Sequence, residues 1–167
     1  EFESDLATVA ALGDLTNAPI MWTDDTDMAA TGTVSAGEMK AIYFDALDYT
    51  GAPTRVYAYV GIPAGASAGS PVPGAVLVHG GGGTAYADWV TEWTNRGYAA
   101  ISIAVEGQTD ERVDGKWVKH AMAGPSRGAL YNDSPDSLTD QWMYHAVADC
   151  VLANSLLRSL PEVDANK

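Results

Sequence analysis

The run Val76-Leu77-Val78-His79-Gly80-Gly81-Gly82-Gly83-Thr84 carries residue types suited to stabilising an anion. A short apolar strand ends in a histidine and four glycines, and a helix is expected from Thr84. Glycine lets a backbone turn sharply with its N–H groups bare and pointing at a ligand. Bare N–H groups near a helix start suit a negative charge that develops during a reaction, which is how an oxyanion hole is built. His79 is expected to orient this loop through its ring nitrogens. A tight strand-to-helix turn without chemistry is the plainer alternative, but four consecutive glycines exceed what a turn needs and cost backbone entropy.

Competing uses of the loop fit less well. A phosphate-cradling loop would end in Gly-Lys-Ser/Thr, which is absent. A dinucleotide fingerprint lacks its acid at the end of the next strand, and His79 precedes the glycines. Gly65-Ala66-Ser67-Ala68-Gly69 matches G-x-S-x-G literally. A nucleophile elbow needs a buried strand before it and a helix after it. Here Ser70-Pro71-Val72-Pro73 follows, so a flexible loop is expected.

Other reactive side chains are sparse. His79, His120 and His145 are the only histidines, and no pair has zinc-binding spacing. His120 lies in a long loop, as a possible substrate contact or a solvated residue; His145 is expected at the surface or in packing. Asp24, Asp25 and Asp27 lack the glycine and the closing glutamate of a calcium loop. No metal and no cofactor are expected. Cys150 stands alone, on an apolar helix face, as a buried structural thiol. Ser126 reads as structural. Arg127 is a possible contact for a substrate carboxylate, with an ion pair to Asp133 or Asp136 as the alternative. Trp89 and Trp93 fit core packing, which leaves Trp117 as the aromatic substrate contact.

The elements around these residues suggest a partly parallel sheet. A short helix is expected over 4–12 and irregular chain over 13–38. Strands over 40–47 and 54–62 should form an antiparallel hairpin, followed by a surface loop over 63–74. A strand over 75–78, apolar throughout, should be buried on both faces. A helix over 84–96 should put Trp89, Val90 and Trp93 inward and stop at Gly97; a buried strand over 98–105 follows. Strand, helix and strand make a parallel crossover unit. Residues 106–135 show no clear periodicity, and a long loop at the carboxyl end of a parallel strand usually belongs to a site. A helix over 136–160 is expected, with a Ser137/Asp140 capping box and a stripe of Met143, Ala146, Val147, Cys150, Ala153, Leu157 and Leu160. Such a crossover helix should lead into another parallel strand, so a segment of a larger fold is expected.

Bulk properties agree with a folded domain. The chain has 167 residues, 47% hydrophobic and 19% charged, enough for a real core. Its net charge is −13, and residues 1–50 hold ten acids against one base. This argues against nucleic acid and anionic membranes as partners. Residues 1–38 read as an acidic N-terminal extension, and 39–167 as the N-terminal part of an α/β domain. Glu1-Phe2-Glu3-Ser4-Asp5 lacks a basic region before an apolar run, so no signal peptide is expected. A cytoplasmic protein and a processed secreted or periplasmic one read alike.

Residues 76–105, with His79-Gly80-Gly81-Gly82-Gly83-Thr84-Ala85, Trp89, Trp93 and Arg96-Gly97-Tyr98-Ala99-Ala100, resemble bacterial α/β-hydrolases of the acetyl xylan esterase and dienelactone hydrolase-like group. The Gly51-x-Pro53 turn and Trp142-Met143-Tyr144-His145-Ala146-Val147-Ala148-Asp149 are similar too, so the likeness spans roughly 40–167. The resemblance implies the N-terminal portion of an α/β-hydrolase sheet, completed by a further segment or a second chain that carries the nucleophile elbow. No triad residue carries over. What carries over is the oxyanion loop, with donors at Gly81 and Gly82, and Gly83 as a further candidate. The implied function is a serine ester hydrolase acting on a small ester, inactive without its complement. The alternative is a degenerate, non-catalytic fold that binds a ligand or partner.

Overall fold

The computed structural model describes residues 2–128 and 131–167; Glu1, and positions 129 and 130 of the segment 106–135, lie outside them. The chain opens with α1 (Phe2–Ala11) and a 3-10 turn, Leu12–Asp14. The main sheet holds β1 (Met21–Trp22), β2 (Met39–Asp45), β3 (Arg55–Gly61), β4 (Gly74–Val78) and β5 (Ala99–Ile103). Their order is β1-β2-β3-β5-β4. β1 to β3 pair antiparallel, β5 joins β3 antiparallel, and β4 runs parallel to β5 with Val76 opposite Ile101. The protein thus has the mixed α/β architecture expected for the N-terminal portion of an α/β-hydrolase sheet.

Alternation on β2 buries Ile42 and Phe44, while β3 and β5 are buried almost throughout. Their side chains join Leu152, Ala153, Leu156 and Leu157 of α3 (Trp142–Ser159) in one apolar core. A second helix, α2 (Ala87–Asn95), packs on the opposite side through Val90. A Cβ at Gly61 would lie 2.7 Å from Val90 Cγ1, so glycine lets α2 approach β3 closely.

Several expectations need correction. The strand at 75–78 is not buried on both faces. β4 is the last strand of the sheet, its residues are half-buried, and Val78 is 44% exposed. Trp89 points outward, leaving Val90 as the buried residue of α2. On α3 the buried face is rotated from the expected stripe: Met143 and Val147 are exposed, while Trp142, His145 and Asp149 are buried. The Ser137/Asp140 box does not form. Instead Asp133 Oδ2 accepts the Trp142 N–H at 2.6 Å, so a remote carboxylate caps α3.

The extension at 1–38 is woven into the sheet. β1 comes from it, and Trp22 donates its indole N–H to Asp45 at 2.6 Å. Arg55, fully buried on β3, donates to Asp24 O at 2.8 Å and stacks 4.2 Å above the Trp22 ring.

The unstructured reading of 106–135 is also revised. β6 (Gln108–Val113) and β7 (Lys116–Lys119) form a hairpin whose turn residues Asp114 and Gly115 have φ of 51° and 75°. Both values suit a two-residue turn that twists with its strands. Tyr57 and Tyr59 of β3 both donate to Asp110, which ties this hairpin to the main sheet.

Candidate functional site

β4 and β5 run parallel and end on the same side of the sheet, and the glycine loop leaves β4 there. The helix does not start at Thr84: α2 begins at Ala87, and the glycines close a turn of their own. The Gly83 N–H donates to Gly80 O at 3.0 Å, with Gly82 at φ 78°. Only a residue without a Cβ adopts that φ without strain.

Three side chains hold the turn. The Val105 N–H donates to His79 Nε2 at 3.2 Å, so that nitrogen is unprotonated. The ring proton therefore sits on Nδ1, which donates to Gly80 O at 2.7 Å. Both ring nitrogens of His79 are thus engaged on backbone. Gln108 Nε2 donates to Gly83 O at 2.7 Å. The reverse amide orientation would set two oxygens against each other, which fixes the assignment. Trp117 Nε1 donates to Gly82 O at 2.8 Å. A Cβ at Gly83 would stand 2.8 Å from His79 Cβ, so this position needs glycine for contact rather than for φ.

The outcome is a division of labour along the loop. The carbonyls of Gly80, Gly82 and Gly83 are bound by the protein, and the Gly83 N–H is spent on the turn. Among the described residues, the Gly81 and Gly82 N–H groups have no acceptor. Gly83 is thereby removed from the candidate donors.

Two clefts flank the loop. One, of about 200 Å³, is lined largely by apolar groups including Val78, Gly80, Gly81, Trp142, Met143 and Cys150. Burial pushes the Cys150 thiol up to about 11, which keeps it protonated and unreactive. The other, of about 380 Å³, lies between the loop and the hairpin and includes Gly82, Arg112, Lys116, Trp117, Lys119 and Arg127. Arg127 packs on Gly81, where a Cβ would meet its guanidinium at 2.7 Å, and it lies 3.7 Å from Glu106. The ion pair expected with Asp133 or Asp136 does not form.

Trp117 and Arg127 therefore stand at the loop, whereas His120 does not. It is buried against Tyr43, with Nδ1 3.7 Å from Asp25 and neither ring nitrogen hydrogen-bonded. Desolvation lowers its pKa to about 4, so it is neutral at physiological pH. His145 is buried too, with Nε2 2.8 Å from Thr139 O. Among the described residues no histidine is hydrogen-bonded to a serine hydroxyl. Ser126 accepts from Lys119 instead. Sequence reading missed Gln108 and Glu106; one signal for both was their place just after a parallel strand.

Solved structures share this arrangement of elements. The chain superposes on an acetyl xylan esterase from Paenibacillus sp. R4 with a TM-score of 0.66 and 20% identity, covering 99% of this chain and 49% of the esterase. A second match is acetyl xylan esterase 1 from Thermoanaerobacterium sp. JW/SL YS485, with a TM-score of 0.61 and 16% identity, over 96% of this chain and 47% of that one. The fold is esterase-like. The chain spans about half the length of these structures. No protein-family model matches the sequence, and no curated protein is matched.

Proposed function

We propose that this chain forms the N-terminal part of a serine ester hydrolase and supplies its oxyanion hole. The observation that carries the reading is the glycine loop, in which the Gly81 and Gly82 N–H groups lack acceptors while the neighbouring polar groups are held. The serine, acid and histidine of the triad lie outside this chain, on a further segment or a second polypeptide. The serine attacks the ester carbonyl, the histidine moves the proton, and the glycine N–H groups stabilise the tetrahedral oxyanion. Removing one such donor typically costs about 3 kcal/mol of transition-state stabilisation.

The outer edge of β4 supports the placement of that segment. The Val72–Val163 bridge is parallel, and the Gly74 N–H donates to Lys167 O at 3.0 Å, so backbone already runs along the start of this edge in the parallel sense. A parallel strand beside β4 would end next to the glycine loop and cover the exposed Val78, Met143 and Val147. An elbow at its carboxyl end faces the Gly81 and Gly82 N–H groups. The named neighbours make an acetylated sugar a reasonable first substrate.

The test is to treat the full-length protein with a serine-directed fluorophosphonate and map the adduct by mass spectrometry. The reading predicts one labelled serine, outside residues 1–167, in a G-x-S-x-G segment, with loss of p-nitrophenyl acetate hydrolysis. Labelling of Ser67 or Ser126, or hydrolysis that survives without a serine adduct, overturns it.

A further inference from the structure

The cleft between the glycine loop and the β6–β7 hairpin has a charge opposite to that of the molecule. The chain carries −13 in total and only nine Lys and Arg residues. Four of them, Arg112, Lys116, Lys119 and Arg127, line this one cleft, opposed by a single lining carboxylate, Glu106. A structural role would consume these cations in ion pairs, and mostly it does not. Among the described residues Lys116 and Lys119 have no salt bridge. Arg112 spends its guanidinium face on Trp117, 3.7 Å from the ring centre, leaving its edge N–H groups free to donate. Only Arg127 approaches Glu106, at 3.7 Å. Lys119, exposed at the end of β7, donates to Ser126; desolvation lowers its pKa and the nearby Glu106 charge opposes that shift.

Size and position agree with a ligand. The cleft measures about 380 Å³, within the range of small-molecule sites. Gly82 forms part of its wall, and Trp117 bridges from the cleft to Gly82 O. A group bound among the cations thus lies beside the proposed oxyanion donors. The acidic remainder of the molecule repels an anion, so attraction is confined to this cleft.

We infer that this cleft binds an anionic group of the substrate, so that the ester turned over carries a negative charge, as a carboxylate or a sulfate, beside the scissile bond. The inference rests on the ester-hydrolase reading for its substrate, but the anion site itself does not. Arg112 and Lys116 are specificity residues. They select the charged ester, and the glycine loop acts on its carbonyl.

The test uses the full-length protein and two matched probes, glucuronate and glucose, in isothermal titration. Inorganic sulfate is a third arm. Glucuronate binds and glucose does not, and raising salt from about 0.05 M to about 0.5 M weakens the binding. Competition by sulfate identifies a general oxyanion site, and its failure identifies a carboxylate site. The Arg112→Gln/Lys116→Gln pair weakens glucuronate binding about tenfold, at roughly 1 kcal/mol or less per exposed charge. Both positions are on the exposed hairpin, and Lys116→Gln alone, checked by circular dichroism, guards against a folding defect. Equal binding of glucose and glucuronate, or glucuronate binding indifferent to the substitutions, overturns the inference. The two readings fail separately. Anion binding without p-nitrophenyl acetate hydrolysis rejects the esterase, and hydrolysis without anion binding rejects the charged substrate.

Discussion

The indole N–H of Trp117 donates to the carbonyl oxygen of Gly82 at 2.8 Å, across 35 residues of chain. That bond fastens the β6–β7 hairpin to the glycine loop, and the hairpin is itself tied to β3 through Asp110. The loop is thus held by a rigid element and not only by its own turn. Donors that must not reorganise during a reaction need such support.

Trp117→Phe keeps the ring and removes the hydrogen bond. A net hydrogen bond contributes about 1 kcal/mol, so global stability changes little. In the full-length protein kcat for p-nitrophenyl acetate should fall about tenfold, because the loop loses its register. Steady-state kinetics beside a thermal melt separates the two effects. An unchanged kcat would mean that the bond holds only the hairpin.

Gln108 is buried and donates to Gly83 O, next to the His79 ring. Gln108→Leu leaves that buried carbonyl without a donor, which costs about 1–3 kcal/mol. Gln108→Glu should be worse, since an ionised carboxylate has no proton to give and would face a carbonyl oxygen. Urea unfolding of the three proteins should rank them Gln, Leu, Glu in falling stability. A Glu variant as stable as the parent would contradict the assigned amide orientation.

Two buried groups set opposing pH dependences. Burial raises Asp149 from 3.8 to about 8, so the folded state holds its proton over a range where the unfolded state releases it. Stability from this group is full below about 3.8 and is lost as pH rises toward about 8. Desolvation lowers His120 from 6.5 to about 4, so the unfolded state binds the extra proton, and stability from this group rises over that interval. The two largely offset each other below pH 6.5, and Asp149 acts alone above it. Asp149→Asn should therefore stabilise the protein most near pH 8 and least near pH 4, read by urea midpoints across the range. A constant difference between parent and variant would show that Asp149 does not hold its proton in the fold.

Much of this molecule can be read from the sequence, and the gaps have physical causes. The hairpin of β2 and β3, the β4–α2–β5 crossover and the stop at Gly97 follow from alternation, an apolar run and a residue at φ 86°. The second hairpin is missed because Gln108–Val113 is mostly polar and exposed, so it carries no alternation; only Asp114-Gly115 marks the turn. The buried face of α3 is read only in part: Ala146, Ala153 and Leu157 are buried as expected, but the face also contains His145 and Asp149, which a hydrophobic pattern counts as outward. β4 looks doubly buried because its residues are all apolar, and composition does not record that it is the last strand of the sheet, with Val78 exposed. At the site, the glycine run announces the loop. Which N–H groups are free depends on Gly83 bonding to Gly80, and that is a matter of geometry alone.

The oxyanion assignment stands or falls on kcat for p-nitrophenyl acetate in the full-length Gly82→Val variant. Gly82 sits at φ 78°, and a Cβ added there would meet nothing within 4 Å. The Cβ itself therefore meets no neighbour, and a β-branched residue at this φ puts its strain on the donor loop. A fall in kcat of about a hundredfold or more is expected, with KM changed little and a cooperative melt retained. A variant that keeps the parent's kcat would contradict the claim that this loop stabilises the oxyanion.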